Sequence, residues 1–209
     1  GLVYSNKSSI SFTPDCETTR EVYNEIVQDE LNSGIGIHSH GCALALRRLH
    51  KTCNKRELEH LSEQAFHDLI KHLWSLQHRL CLAIFKRTNS LFARINRKQD
   101  YNDTEFSRWL ITEKGYKILL QKHCSLARLI AESIEYWIKD TSTFIKRFSA
   151  DKAKLVELIP IDTKSKIVEI DDGLSDPHTD KQFVKRILLD NGSGIIYKPR
   201  DISLLKQLS

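Results

Sequence analysis

From residue 42 to residue 159 the chain contains no proline and a single glycine, Gly115. A stretch this long without the two residues that interrupt regular backbone constrains the fold more than any other feature. Apolar positions recur within it at three- and four-residue steps. One set runs Leu58, Leu61, Ala65, Leu69, Leu73, Leu76, Leu80 and Ile84, from Arg56 onward. A second runs Leu126, Ile130, Ile134, Trp137, Thr141, Phe144, Ile145 and Phe148. Each spacing predicts one apolar stripe on a long helix. Thr88-Asn89-Ser90 breaks or bends the first helix before Leu91, Phe92 and Ile95. Asn102, with Glu105 three residues on, predicts a capped start for the next helix, whose middle Gly115 weakens. A short helix is expected over residues 18–31, closed by Ser33-Gly34.

After Pro160 the pattern changes. Residues 166–170 are β-prone and Asp171-Asp172-Gly173 reads as a turn. Residues 183–189 and Gly194–Tyr197 read as strands joined through Asn191-Gly192. A lone hairpin is at best marginally stable in water. These strands therefore have to pack on the helices or on strands beyond Ser209, and the chain reads as the front part of a larger one. The fold class is α+β, with a mostly helical region over residues 1–160 and the opening strands of a second region over 161–209.

Bulk properties exclude several classes. With 40% hydrophobic and 28% charged residues the chain is globular rather than disordered. No apolar run approaches the roughly 18–20 residues of a membrane span, and the N-terminus lacks the pattern of a signal peptide. Five cysteines without regular spacing point to reduced thiols and a cytoplasmic setting. A net charge of +5 is compatible with an acidic partner and selects none.

Lys198 carries the sharpest chemical signal. Strand alternation puts Ile196 and Lys198 on one face, with Ile195 and Tyr197 on the other. A lysine continuing an apolar face is costly to bury unless it meets an anion. Kinase-like folds use a strand lysine, preceded by apolar residues, to reach nucleotide phosphates. The plain alternative is a lysine that snorkels at a strand end.

The surroundings of Lys198 add a resemblance. The segment "DDGLSDPHTDKQFVKRILLDNGSGIIYKPRDISL", residues 171–204, joins a D-x-H to a Y-K-P-R through a hairpin. It resembles the dehydratase domain of class II lanthionine synthetases, the LanM-type enzymes. The helical stretch "CSLARLIAESIEYWIKDTSTFIKRFSADKAKL", residues 124–155, is similar to what precedes these motifs in that family. Two positions depart from the pattern. The usual G-D-x-H is Ser175-Asp176-Pro177-His178, and the glycine often found three residues after the histidine is Lys181.

The resemblance implies a kinase-like bacterial enzyme that uses ATP and Mg2+. It would phosphorylate Ser and Thr of a ribosomal precursor peptide and then eliminate the phosphate, giving dehydroamino acids ahead of thioether ring formation. By match of motif, Lys198 takes the phosphate-contacting role, while Asp176 and His178 fall on the D-x-H residues assigned to elimination. Zn2+ would belong only to a separate cyclase domain. The catalytic-loop Asp and the metal-binding Asn and Asp of this plan are expected downstream of the lysine, and "ISLLKQLS", residues 202–209, contains none of them. The 209-residue piece is therefore not expected to act alone. Arg200 is a minor phosphate candidate.

Other features carry blander readings. His38, His40 and Cys42, with His50 and Cys53 beyond, match no compact zinc spacing, and Gly34, Gly36 and Gly41 suggest a loop there. His60, His67 and His78 are expected on the polar side of the first long helix, and Trp74, Trp109 and Trp137 in the core. Basic clusters at Arg47-Arg48, Lys86-Arg87 and Lys146-Arg147 lack a nucleic-acid pattern. A patch containing Arg94, Arg97 and Lys98 suits an acidic leader peptide better. The rival to the whole reading is a non-catalytic helical scaffold or peptide-binding module; a different kinase-like enzyme is a weaker third.

Overall fold

The structure is a computed structural model that describes residues 39–82, 92–95, 103–110, 112–159, 161–172 and 183–199. Among these, helices α1 (Ser39–Thr52), α2 (Lys55–Leu58), α3 (Glu63–Leu82), α4 (Asp103–Leu110), α5 (Glu113–Lys122) and α6 (Cys124–Leu158) precede strands β1 (Ile167–Asp171), β2 (Lys185–Leu189) and β3 (Gly194–Tyr197). The architecture is α+β, as expected. The described residues divide into two compact units. One draws on residues up to 48 and on 70–135, the other on 49–69 and on 136 onward.

The second apolar stripe forms as its spacing predicts. Helix α6 runs for 35 residues, and Leu126, Ile130, Ile134, Trp137, Thr141, Phe144, Ile145 and Phe148 are all buried. The first stripe does not form one helix. Asn54 opens α2 with a reciprocal capping box to Glu57, and the chain leaves the helix after Leu58. Ser62 then accepts the Ala65 amide on its hydroxyl at 3.1 Å and starts α3 afresh. Residues that periodicity treats as helical thus serve the sheet. Leu61 bridges Ile167 in parallel, the Ile167 amide donates to the His60 carbonyl at 2.8 Å, and the Ser62 amide donates to the Ile167 carbonyl at 2.8 Å.

The helix expected to follow Asn102 is also two helices. Thr112 caps α5, its hydroxyl accepting the Gly115 amide at 3.0 Å, so Gly115 lies in the first turn rather than mid-helix. A Cβ at Gly115 would stand 2.0 Å from the Trp109 carbonyl oxygen, which explains the glycine. Gly41 is likewise helical, inside α1 with His40 and Cys42, where a loop was expected. The expected helix over 18–31, the break at 88–90, His38 and Asn102 lie outside the described residues.

The sheet has the order β1-β2-β3, antiparallel throughout. Burial on β2 alternates strictly: Lys185, Ile187 and Leu189 face inward, Arg186 and Leu188 outward. In the β2–β3 hairpin the Leu189 amide donates to the Ser193 carbonyl at 3.0 Å, and the Gly192 amide to the Leu189 carbonyl at 2.9 Å. Gly192 sits at φ 85°, the left-handed conformation that such a loop requires and that side chains disfavour. The outer edge of β1 is occupied too, since the Ile170 amide donates to an Asp68 carboxylate oxygen at 3.0 Å.

Candidate functional site

Lys198 follows the last residue of β3 and is exposed. Ile196, on the same face, is 52% exposed, whereas Ile195 and Tyr197 opposite are half-buried. The expected alternation holds, but Lys198 continues the outward face, so burial forces no anion on it. Its place in space comes from its neighbours. Tyr197 meets Phe144 of α6 edge-on, with centroids 5.1 Å apart at 64°. The Arg147 guanidinium of the same helix donates to the Tyr197 hydroxyl at 3.1 Å and to the Pro199 carbonyl at 3.2 Å. Asp176, His178, Lys181 and Arg200 lie outside the described residues.

The lysine that does need an anion is Lys185, on the facing strand at the same open end of the hairpin and paired in register with Tyr197. Its side chain is 1% exposed, and Nζ donates to Asp140 Oδ2 at 2.6 Å and to Asp172 Oδ1 at 2.8 Å. The Phe144 and Phe183 rings lie 5.9 Å and 6.0 Å from the ammonium. Burial alone would lower the Lys185 pKa, but Asp172 and Asp140 together outweigh it and raise it above the ordinary lysine value. Burial pushes the Asp140 carboxyl upward against the pull of Lys185. Two carboxylates share one ammonium here, and Asp140 Oδ1 is buried without a hydrogen-bond partner among the described residues.

This cluster was not anticipated, although it left two signs in the sequence. Lys185 stands at an inward position of the alternation K-x-I-x-L, and Asp140 lies between Trp137 and Phe144 on the α6 stripe. Both break the binary pattern. The geometry argues for structure rather than chemistry, because all three charged groups are closed off from solvent and the ammonium is held by both carboxylates.

A second cluster has the outline of a nucleophile and base. His60 Nε2 lies 3.2 Å from Ser149 Oγ, and Lys152 Nζ lies 3.1 Å from His60 Nδ1. The proton is in the wrong place for that role. An ammonium has only donors, so Nδ1 must accept, and the ring hydrogen sits on Nε2 and points to the serine. His60 cannot then take the serine proton. Burial, and next Lys152, hold the His60 pKa below its ordinary value, and Lys152 also donates to the Ser165 carbonyl at 2.6 Å. The group ties the segment before β1 to α6. His60 is thus half-buried in a network, not on a solvated face.

Among the described residues no group of three or more His, Cys, Asp or Glu side chains could hold a metal ion, and no helix is long and apolar enough to cross a membrane. His40 is buried and stacks on Tyr116 at 4.6 Å. Burial, then Glu57, pushes the Cys53 thiol up to about 11, which makes it a poor nucleophile. Trp137 is core, its indole nitrogen donating to the Leu69 carbonyl at 2.9 Å.

Residues 124–209 match a family described as a domain of unknown function, DUF4135. The match begins at the first residue of α6 and takes in the sheet, Asp176, His178 and Lys198. It covers less than half of the chain. The family is associated with lanthionine synthetase-like proteins. No curated protein matches the chain.

Proposed function

We propose that this chain is the N-terminal part of a LanM-type dehydratase that phosphorylates Ser and Thr of a precursor peptide with ATP and eliminates the phosphate. The observation that carries the reading is the D-x-H and Y-K-P-R pair, Asp176, His178 and Lys198, inside the segment that matches the family. The geometry at Lys198 is compatible with a phosphate contact. The ammonium is exposed, and its backbone is flanked by groups that α6 holds. Bound ATP with Mg2+ supplies the phosphoryl group. Lys198 offsets negative charge on the phosphates, the kind of help that phosphoryl transfer needs most. Elimination needs a base for the α-proton, a task suited to His178 or Asp176, and electrophilic help for the departing phosphate, a task suited to the Lys198 ammonium. The partner is the precursor peptide, and the setting is the bacterial cytoplasm. Of the basic patch proposed for its leader, only Arg94 is described, and it is exposed.

The scaffold reading draws on the same exposure of Lys198, which a surface lysine would share. Mass spectrometry separates the two. The natural full-length protein is incubated with precursor peptide, ATP and magnesium, intact or as Lys198→Ala or His178→Ala. Water loss with the intact protein, no modification with Lys198→Ala and accumulated phosphopeptide with His178→Ala are expected. Absence of any ATP-dependent mass change with the intact protein across several candidate peptides would favour the scaffold.

A further inference from the structure

We infer that Arg147 is the positioning residue for Lys198, an assignment that rests on the proposed phosphate role of that lysine. The last registered pair of the hairpin is Lys185 with Tyr197, so Lys198 lies just past the β2–β3 ladder. Its backbone depends on what holds the residues on either side. Arg147 holds both, donating from one guanidinium nitrogen to the Tyr197 hydroxyl at 3.1 Å and to the Pro199 carbonyl at 3.2 Å.

Three further constraints converge on the same place. Phe144, one turn earlier on α6, packs edge-on against the Tyr197 ring. Pro199 is buried, and its ring both fixes its own φ and confines Lys198 to extended backbone. Asp140, a further turn back, grips Lys185 opposite Tyr197. Successive turns of one helix thus hold both strands at the open end of the hairpin, while the Lys198 side chain stays in solvent. Arginine suits this task because its planar head presents hydrogens in fixed directions; a lysine ammonium on a flexible stem would not keep two oxygens in a set relation. A cationic group held by its flanks and free at its tip is what a pre-organised anion contact requires.

The test uses the natural full-length protein with Arg147→Ala and Arg147→Lys. Amide hydrogen exchange is followed over residues 194–198, with residues 167–171 as the internal reference. In parallel, KM is measured separately for ATP and for the precursor peptide. Arg147→Ala is expected to speed exchange at residues 197 and 198, leave 167–171 protected and raise KM for ATP about ten-fold. KM for the peptide is expected to stay within about two-fold, because that surface is untouched. Arg147→Lys should recover only part of the ATP effect. If the alanine variant loses protection everywhere, Arg147→Gln, which keeps most of the stem, is read by the same criteria.

Unchanged exchange, or faster exchange with an unchanged KM for ATP, overturns the assignment while leaving the dehydratase reading in place. An intact protein that never phosphorylates a peptide overturns the phosphate role of Lys198, and the assignment falls with it.

Discussion

The two faces of the small sheet treat charge in opposite ways, and adjacent residues of β2 show both. Lys185 points inward and Arg186 outward, and each lies between two acidic side chains. Lys185 meets Asp140 and Asp172 at 2.6 Å and 2.8 Å with 1% exposure. Arg186 meets Glu169 and Asp171 at 3.7 Å and 3.5 Å with 57% exposure. Lys198 belongs with Arg186 on the outward side. The contrast teaches that a positive charge on a strand says little until its face is known. Inside, it demands partners; outside, it remains available to a ligand.

The largest effect should come from Lys185→Met, which strands two buried carboxylates. A loss of about 3–5 kcal/mol in urea unfolding is expected, since removing one member of a buried ion cluster leaves the other charges uncompensated. Adding Asp140→Asn should restore part of that loss, giving a coupling of about 1–3 kcal/mol in a double-mutant cycle. A single-mutant loss below about 1 kcal/mol would show that the inward face tolerates an unpaired charge, and the contrast would collapse.

The next effect is a pH dependence. His60 has a folded pKa below its ordinary 6.5, so the unfolded chain takes up a proton that the folded one resists. Stability should therefore fall as pH drops through 6.5 towards the lower folded value and level off beneath it. His60→Gln should flatten this part of the profile, read as urea midpoints at about pH 7.5 and about pH 5.5. An unchanged slope in that variant would move the titration to another residue.

The smallest effect belongs to the outward face. Arg186→Ala should cost at most about 0.5–1 kcal/mol, and less at high salt, because exposed ion pairs are screened and their long side chains lose freedom when held. A salt-insensitive loss comparable to that of Lys185→Met would erase the difference between the faces.

How much of this was legible in the sequence varied with the kind of interaction. The α6 stripe and the hairpin were readable because local periodicity and turn chemistry suffice for both. The division of the first stripe was not. Leu58 and Leu61 keep helical spacing, yet the segment between them and α3 is claimed by β1, a partner more than a hundred residues away. Tertiary pairing overrode a local preference that caps at Asn54 and Ser62 had already weakened. At the candidate site, strand alternation correctly paired Lys198 with Ile196, but it could not say which face was inward. The rule that a buried lysine needs an anion was sound; it applied to Lys185. Arg147 read as one half of a basic pair, because nothing local announces that its acceptors lie fifty residues on.

The segment at residues 60–62 has a further consequence, for the direction in which the sheet can grow. Together with Asp68 it occupies backbone positions along the outer margin of β1, at Ile167 and Ile170. A strand approaching from that side finds its docking groups already taken, which guards against unwanted edge-to-edge association. Among the described residues β3 forms the opposite margin of the sheet, so the hairpin bearing Lys198 marks the side on which the sheet can be extended.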